Sequence, residues 1–93
     1  MIAPRRFLPS VNALLAFEAV ARLGSATLAA QELSLTQSAI SRQLKTLEAQ
    51  LNVALLDRQG RQLVLTEAGK SYVIQVRDVL NRLAPASITA RTN

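Results

Sequence analysis

Residues 25–51 read SATLAAQELSLTQSAISRQLKTLEAQL, and the fold turns on this stretch. Ser25 can cap a short helix over roughly residues 26 to 33, because its hydroxyl can accept from the unpaired amides of a first turn. Leu28, Ala29 and Leu33 share a side of that helix and are expected to face a core. Ala30 is small enough to let another helix approach closely. Ser34-Leu35 is the turn, and Thr36 caps a second helix from Gln37 to about Gln50. Two short helices separated by a few residues are the sequence form of a helix-turn-helix.

The second of these helices divides into two faces. Ile40, Leu44, Leu47 and Leu51 follow steps of four, three and four, which is one apolar stripe. Gln37, Ser41, Lys45 and Glu48 form the opposite face, with Ser38 and Arg42 beside it. Such a face carries many groups that donate hydrogen bonds to bases and phosphates, and its position directly after a cap and a short turn favours reading DNA over plain solvation.

Working outward, Pro4 and Pro9 mark residues 1–9 as a short flexible arm. Ser10 or Asn12 caps the helix that follows. There Leu14, Phe17, Val20 and Ala21 recur at helical spacing, flanked by Ala16 and Leu23, and Gly24 ends the helix. On the other side, Asn52 stops the helix that began at Gln37. Short strands follow around Leu55-Leu56-Asp57-Arg58 and Gln62-Leu63-Val64-Leu65, with Gly60 suited to the tight turn between them. Arg58 and Arg61 then lie beside a hairpin tip, where they can approach a phosphate backbone or pair with Asp57. Thr66 caps a last long helix, with Glu67 complementing its first turn. Tyr72, Val73, Val76, Val79, Leu80 and Leu83 form its apolar side. Pro85 predicts an end at Leu83 or Ala84, followed by a polar tail from Ser87.

Composition narrows the function. Apolar residues make up 49% of 93 residues but aromatics only 3%, so the core is aliphatic and the chain leans helical. Eleven Lys and Arg against six Asp and Glu give a net charge of +5, which favours a polyanionic partner. No run is long enough for a membrane span, and the start does not resemble a signal or transit peptide. The chain has no cysteine and no histidine. That excludes disulfides, thiolate metal sites and the commonest general base, and it fits a reducing cytoplasm. Ser41 and Lys45 are spaced for a nucleophile and base, but nothing suggests a pocket around them. Gly24, Gly60 and Gly69 are too dispersed for a phosphate-cradling loop. No catalytic residue, metal or cofactor is therefore expected in these residues. Two readings remain: a DNA-binding module, or a small helical protein-interaction module acting through the last helix.

The residues also carry a resemblance. Phe17-Glu18-Ala19-Val20-Ala21, Gly24-Ser25, Ala29-Ala30 and Leu33 come first. Thr36-Gln37-Ser38-Ala39-Ile40-Ser41-Arg42-Gln43-Leu44, Leu47-Glu48, Leu51 and Arg58 follow. Leu65-Thr66-Glu67-Ala68-Gly69 closes the pattern. In this order and spacing, from Leu14 to Leu80, the chain resembles the N-terminal DNA-binding domain of LysR-type transcriptional regulators. The resemblance implies a mainly α, winged helix-turn-helix over residues 10–66. A linker and dimerisation helix follows over 67–84, and a polar tail or the start of an interdomain linker over 85–93. It implies base contacts from Gln37, Ser38, Ser41, Arg42 and Lys45 in the major groove. Backbone contacts would come from Ser25, Thr36, Arg58 and Arg61. Dimerisation would use Tyr72, Val73, Val76, Val79, Leu80 and Leu83. Its implied partners are double-stranded operator DNA and a second copy, with tetramers and a separate effector-binding domain in a full-length bacterial cytoplasmic protein. Three positions depart from the pattern: Asn52 stands where glycine is usual, Leu56 where phenylalanine is common, and Ala26 where a larger apolar residue is common.

Overall fold

The capping signals are used as the chain implies. A computed structural model describes residues 9–92, with side chains to Leu83. The arm expected over residues 1–9 lies outside the described residues except for Pro9. Ser10 accepts from the Ala13 amide at 3.0 Å and opens α1 (Val11–Leu23). Gly24 closes it at φ 69°, its amide donating to the Val20 carbonyl at 2.7 Å. Ser25 accepts from the Leu28 amide and opens α2 (Ala26–Leu33). Thr36 accepts from the Ala39 amide and opens α3 (Gln37–Leu51). Ser34 and Asn52 adopt left-handed conformations at φ 57° and 55°. Asn52 thus takes the backbone shape that glycine would take there.

Helix α1 lies at the centre and buries two sides. Toward α3 and the last helix, Ala13, Leu14 and Phe17 join Leu47, Leu55, Val73 and Val76. Toward α2, Ala16, Ala19 and Val20 join Ala29, Ala30 and Ile40. Four of those six are alanines, so the two helices approach closely. The first cluster holds the larger side chains, Phe17, Leu47 and Leu55 among them. Full burial of one such residue is worth roughly 1.5–3 kcal/mol. Leu28, expected in the core, is instead 47% exposed. Helix α2 has only eight residues, and its contact stripe runs through Ala29, Ala30 and Leu33, which turns Leu28 outward.

Strands β1 (Leu56–Gln59) and β2 (Gln62–Leu65) pair antiparallel, Leu56 opposite Leu65 and Gln59 opposite Gln62. Gly60, at φ 61°, and Arg61 make the turn. The Leu63 amide donates to the Gly24 carbonyl at 3.1 Å, tying this wing to the corner between α1 and α2.

Helix α4 (Glu67–Thr92) starts on a tight junction. The Thr66 hydroxyl donates to the Ala54 carbonyl at 2.7 Å and accepts from the Gly69 amide at 3.0 Å. The helix runs through Pro85 to Thr92, past the end expected at Leu83 or Ala84. Proline removes one backbone hydrogen bond and crowds one carbonyl; a helix can bend around that loss and continue.

Candidate nucleic-acid interface

The two apolar anchors of α3 set which side of it faces out. Ile40 and Leu47 are fully buried, and Leu44 and Leu51 pack half-buried against the core. With that register, Gln37, Ser38, Ser41, Arg42 and Lys45 are all exposed. Thr36 is exposed at the head of the helix. Its oxygen accepts from Ala39, which leaves its hydroxyl proton available to an acceptor outside the chain. Ser25 is also committed as a cap and is half-buried, so it presents less surface than Thr36. Arg58 on β1 and Arg61 in the turn are exposed on the wing.

The described basic side chains fall into two sets. Arg22, Lys70, Arg77 and Arg82 each form an ion pair. Arg42, Lys45, Arg58 and Arg61 form none among the described residues. The acids explain the division, because each carboxylate accepts from a group other than these four side chains. Glu18 and Glu32 both bind Arg22, and Glu18 also receives Arg77 at 3.3 Å. This network joins α1, α2 and α4. The hydrogen bond from Arg22 holds the Glu32 carboxyl below the usual glutamate range, and the same contacts raise the Arg22 guanidinium. Glu67 pairs with Lys70, and Asp78 with Arg82. Asp57, the alternative partner for the wing arginines, accepts from the Arg58 backbone amide at 2.9 Å. The four unpaired cations therefore keep their charge available to an external anion.

Glu48 does not join the outward face. Its carboxylate turns toward the wing and accepts from the Leu55 amide at 2.6 Å and the Leu56 amide at 3.2 Å. The helix ends only three residues beyond Glu48, so the chain folds back within its reach. Sequence spacing alone could not show this return.

The proposed dimerisation residues split. Val73 and Val76 are 4% and 2% exposed and belong to the chain's own core. They are not available to a second copy. Tyr72 is half-buried, with its ring 5.8 Å from that of Phe17, and burial pushes its phenol pKa up. Leu80 packs at the edge of the same core, while Val79 and Leu83 remain exposed. Sequence reading missed Val11 and Leu15 on α1, which with Leu80 and Leu83 line an open groove of ≈ 520 Å³ rimmed by Glu18, Arg77 and Asn81. Their four-residue spacing, off the main α1 stripe, was the available signal.

Ser41 and Lys45 sit on an exposed helix face, not in an enclosed site. Among the described residues no group of three or more acidic, histidine or cysteine side chains could hold a metal ion, and no helix is long and apolar enough to cross a membrane.

The family described as bacterial regulatory helix-turn-helix protein, lysR family, matches residues 11–70. The glycine cleavage system transcriptional activator of Escherichia coli (strain K12) is 45% identical over 80 residues, covering 86% of this chain and 26% of that protein. The HTH-type transcriptional regulator TrpI of Pseudomonas aeruginosa is 52% identical over 78 residues, covering 84% and 26%. The chain thus spans about a quarter of the length of these relatives. A crystal structure of a CbnR DBD–DNA complex matches with TM-score 0.78 and 35% identity, over 89% of this chain and 95% of that one. A BenM DBD complex with benA site 1 DNA matches with TM-score 0.79 and 30% identity, over 90% and 99%.

Proposed function

The chain belongs to the lysR family of bacterial regulatory helix-turn-helix proteins, and from that premise we propose that it reads operator DNA through the outward face of α3. It is the DNA-binding domain of a transcriptional regulator, not an enzyme. The DNA-bound relatives CbnR and BenM support the same use of this fold. The observation that carries the residue assignment is the charge division: the unpaired cations lie on α3 and the wing, while the acids are committed to other partners.

In this reading α3 enters the major groove. Gln37, Ser38, Ser41, Arg42 and Lys45 face base edges, whose donor and acceptor patterns differ for each base pair. Gln37 suits adenine, and Arg42 suits guanine or a phosphate. Thr36, Arg58 and Arg61 meet phosphates, with Ser25 at the margin. Phosphate contacts set register and affinity, while base contacts set sequence preference. The protein acts as a dimer, which presents two recognition helices about 34 Å apart to an interrupted palindrome. The apolar groove between α1 and α4 is the surface for that pairing. A full-length protein would assemble further, act in the bacterial cytoplasm and take a small-molecule effector in a separate domain.

The test is Gln37→Ala against a duplex selected from random DNA with the parent chain, and against each base substitution in one half-site. The expected loss is about 1–3 kcal/mol at one base pair and much less on unrelated DNA. An equal loss on every sequence would move Gln37 to the backbone. No loss in a folded variant would remove it from the interface.

A further inference from the structure

Glu48 stands between the two parts of the interface. It belongs to α3, six residues beyond Arg42, and points away from the exposed face. Its carboxylate Oε2 accepts from both the Leu55 and the Leu56 amides, at 2.6 and 3.2 Å. Leu56 opens β1, which carries Arg58 to the wing. Leu55 is buried, and its carbonyl accepts from the Thr66 amide at 3.0 Å, just after β2. One carboxylate oxygen thus fastens the recognition helix to the strand that carries the wing arginine. This oxygen receives two backbone donors at once, which fixes both amides relative to α3, and a side-chain amide oxygen at the same reach can accept them too.

We propose that Glu48 is a positioning residue that holds the wing at a set angle to α3, so that base reading and wing phosphate contact occur on the same duplex. The proposal rests on the DNA-reading function above. Its consequence is specific. Loosening Glu48 lets the wing drift from the phosphates while α3, anchored by Ile40 and Leu47, still reads bases.

Two substitutions separate positioning from charge. Glu48→Gln removes the charge but keeps a carbonyl oxygen at the same reach. Glu48→Asp keeps the charge but is one methylene too short to span to β1. A merely electrostatic role makes Gln the defective variant; positioning makes Asp defective. The measurement is the slope of log affinity against log salt on the selected duplex, together with the ratio of affinities for matched and base-substituted half-sites. Arg58→Ala/Arg61→Ala is the reference and should lower the slope by about 2, near 0.9 for each phosphate contact. Glu48→Asp should lower it by at least half as much, leave the base preference within about threefold of the parent, and speed amide hydrogen exchange at Leu55 and Leu56. Glu48→Gln should match the parent in all three. An Asp variant with the parent's slope, or a Gln variant as impaired as Asp, overturns the positioning role. If the arginine double variant keeps the parent's slope, the wing reading itself fails and takes the proposal with it. If Asp does not fold while Gln binds as the parent does, the residue serves stability alone and the proposal is overturned.

Discussion

Replacing Gly69 with alanine is expected to destabilise the domain strongly, although the residue sits in a helix where alanine is ordinarily better. A Cβ at position 69 would lie 2.1 Å from the Leu55 carbonyl oxygen and 3.0 Å from both the Leu55 carbonyl carbon and Leu65 Cδ2. Ordinary van der Waals contact begins at 3.4 Å, so the oxygen lies about 1.3 Å too close. The oxygen cannot retreat freely, because it accepts from the Thr66 amide at 3.0 Å while the Leu55 amide is held by Glu48 at 2.6 Å. Overpacking against a pliable neighbour costs roughly 1–3 kcal/mol, and a fixed backbone carbonyl belongs at the upper end. Displacing Leu55 also weakens one or two hydrogen bonds, at about 1 kcal/mol each. Better helix propensity returns about 1 kcal/mol. The net is a loss of about 2–4 kcal/mol, or a fall in Tm of roughly 10–20 °C for a domain of this size. Urea and thermal unfolding followed by far-ultraviolet circular dichroism measure it. Gly60→Ala is the control. Gly60 has φ +61° and nothing within 4 Å of a built Cβ, so its cost is conformational only, about 1–2 kcal/mol. A Gly69→Ala protein as stable as the parent, or more stable than Gly60→Ala, would refute the reasoning about the Leu55 contact.

Thr36→Ala removes the cap of α3 and should cost about 1 kcal/mol in urea unfolding, with Ser as a rescuing substitution; an unchanged midpoint would show that the cap hydrogen bond contributes nothing. Val76→Asp should unfold the single chain, whereas Val79→Asp/Leu83→Asp should leave circular dichroism intact and shift sedimentation toward monomer. A folded Val76→Asp protein would contradict its place in the core, and a dimer unaffected by the double change would move the pairing surface elsewhere. The Arg22–Glu32 pair should be acid-sensitive. Because the Glu32 carboxyl is held below its usual range, its contribution is present above the unfolded glutamate pKa and is lost as pH falls through the lower, folded value. The difference in urea midpoint between the parent and Glu32→Gln should therefore shrink below that window, and a difference constant with pH would deny the pair a role.

Much of the fold was legible because its signals are local. Ser10, Ser25, Thr36 and Thr66 each stand directly before a helix, and a short side-chain oxygen at that point can satisfy only the amides just ahead of it. Gly24 and Asn52 tolerate the left-handed backbone that ends a helix. The step pattern of Ile40, Leu44, Leu47 and Leu51 set the register of α3, and with it the exposure of Gln37, Ser38, Ser41, Arg42 and Lys45. What the tertiary structure decided was the partner of each group. An apolar stripe on α4 calls for cover but does not say whether α1 or a second copy supplies it; Val73 and Val76 are covered from within, while Val79 and Leu83 are not. Charge partners are similarly non-local: Glu18 meets Arg77 across 59 positions of sequence, and Glu48 meets the amides of a strand that returns to it. The need for glycine at position 69 is likewise set in space, by the Leu55 carbonyl that lies against it. Periodicity and capping act over a few residues, so they could be read in order along the chain. Burial, ion pairing and steric exclusion depend on distances in space between residues far apart in sequence, and those distances exist only once the chain has folded.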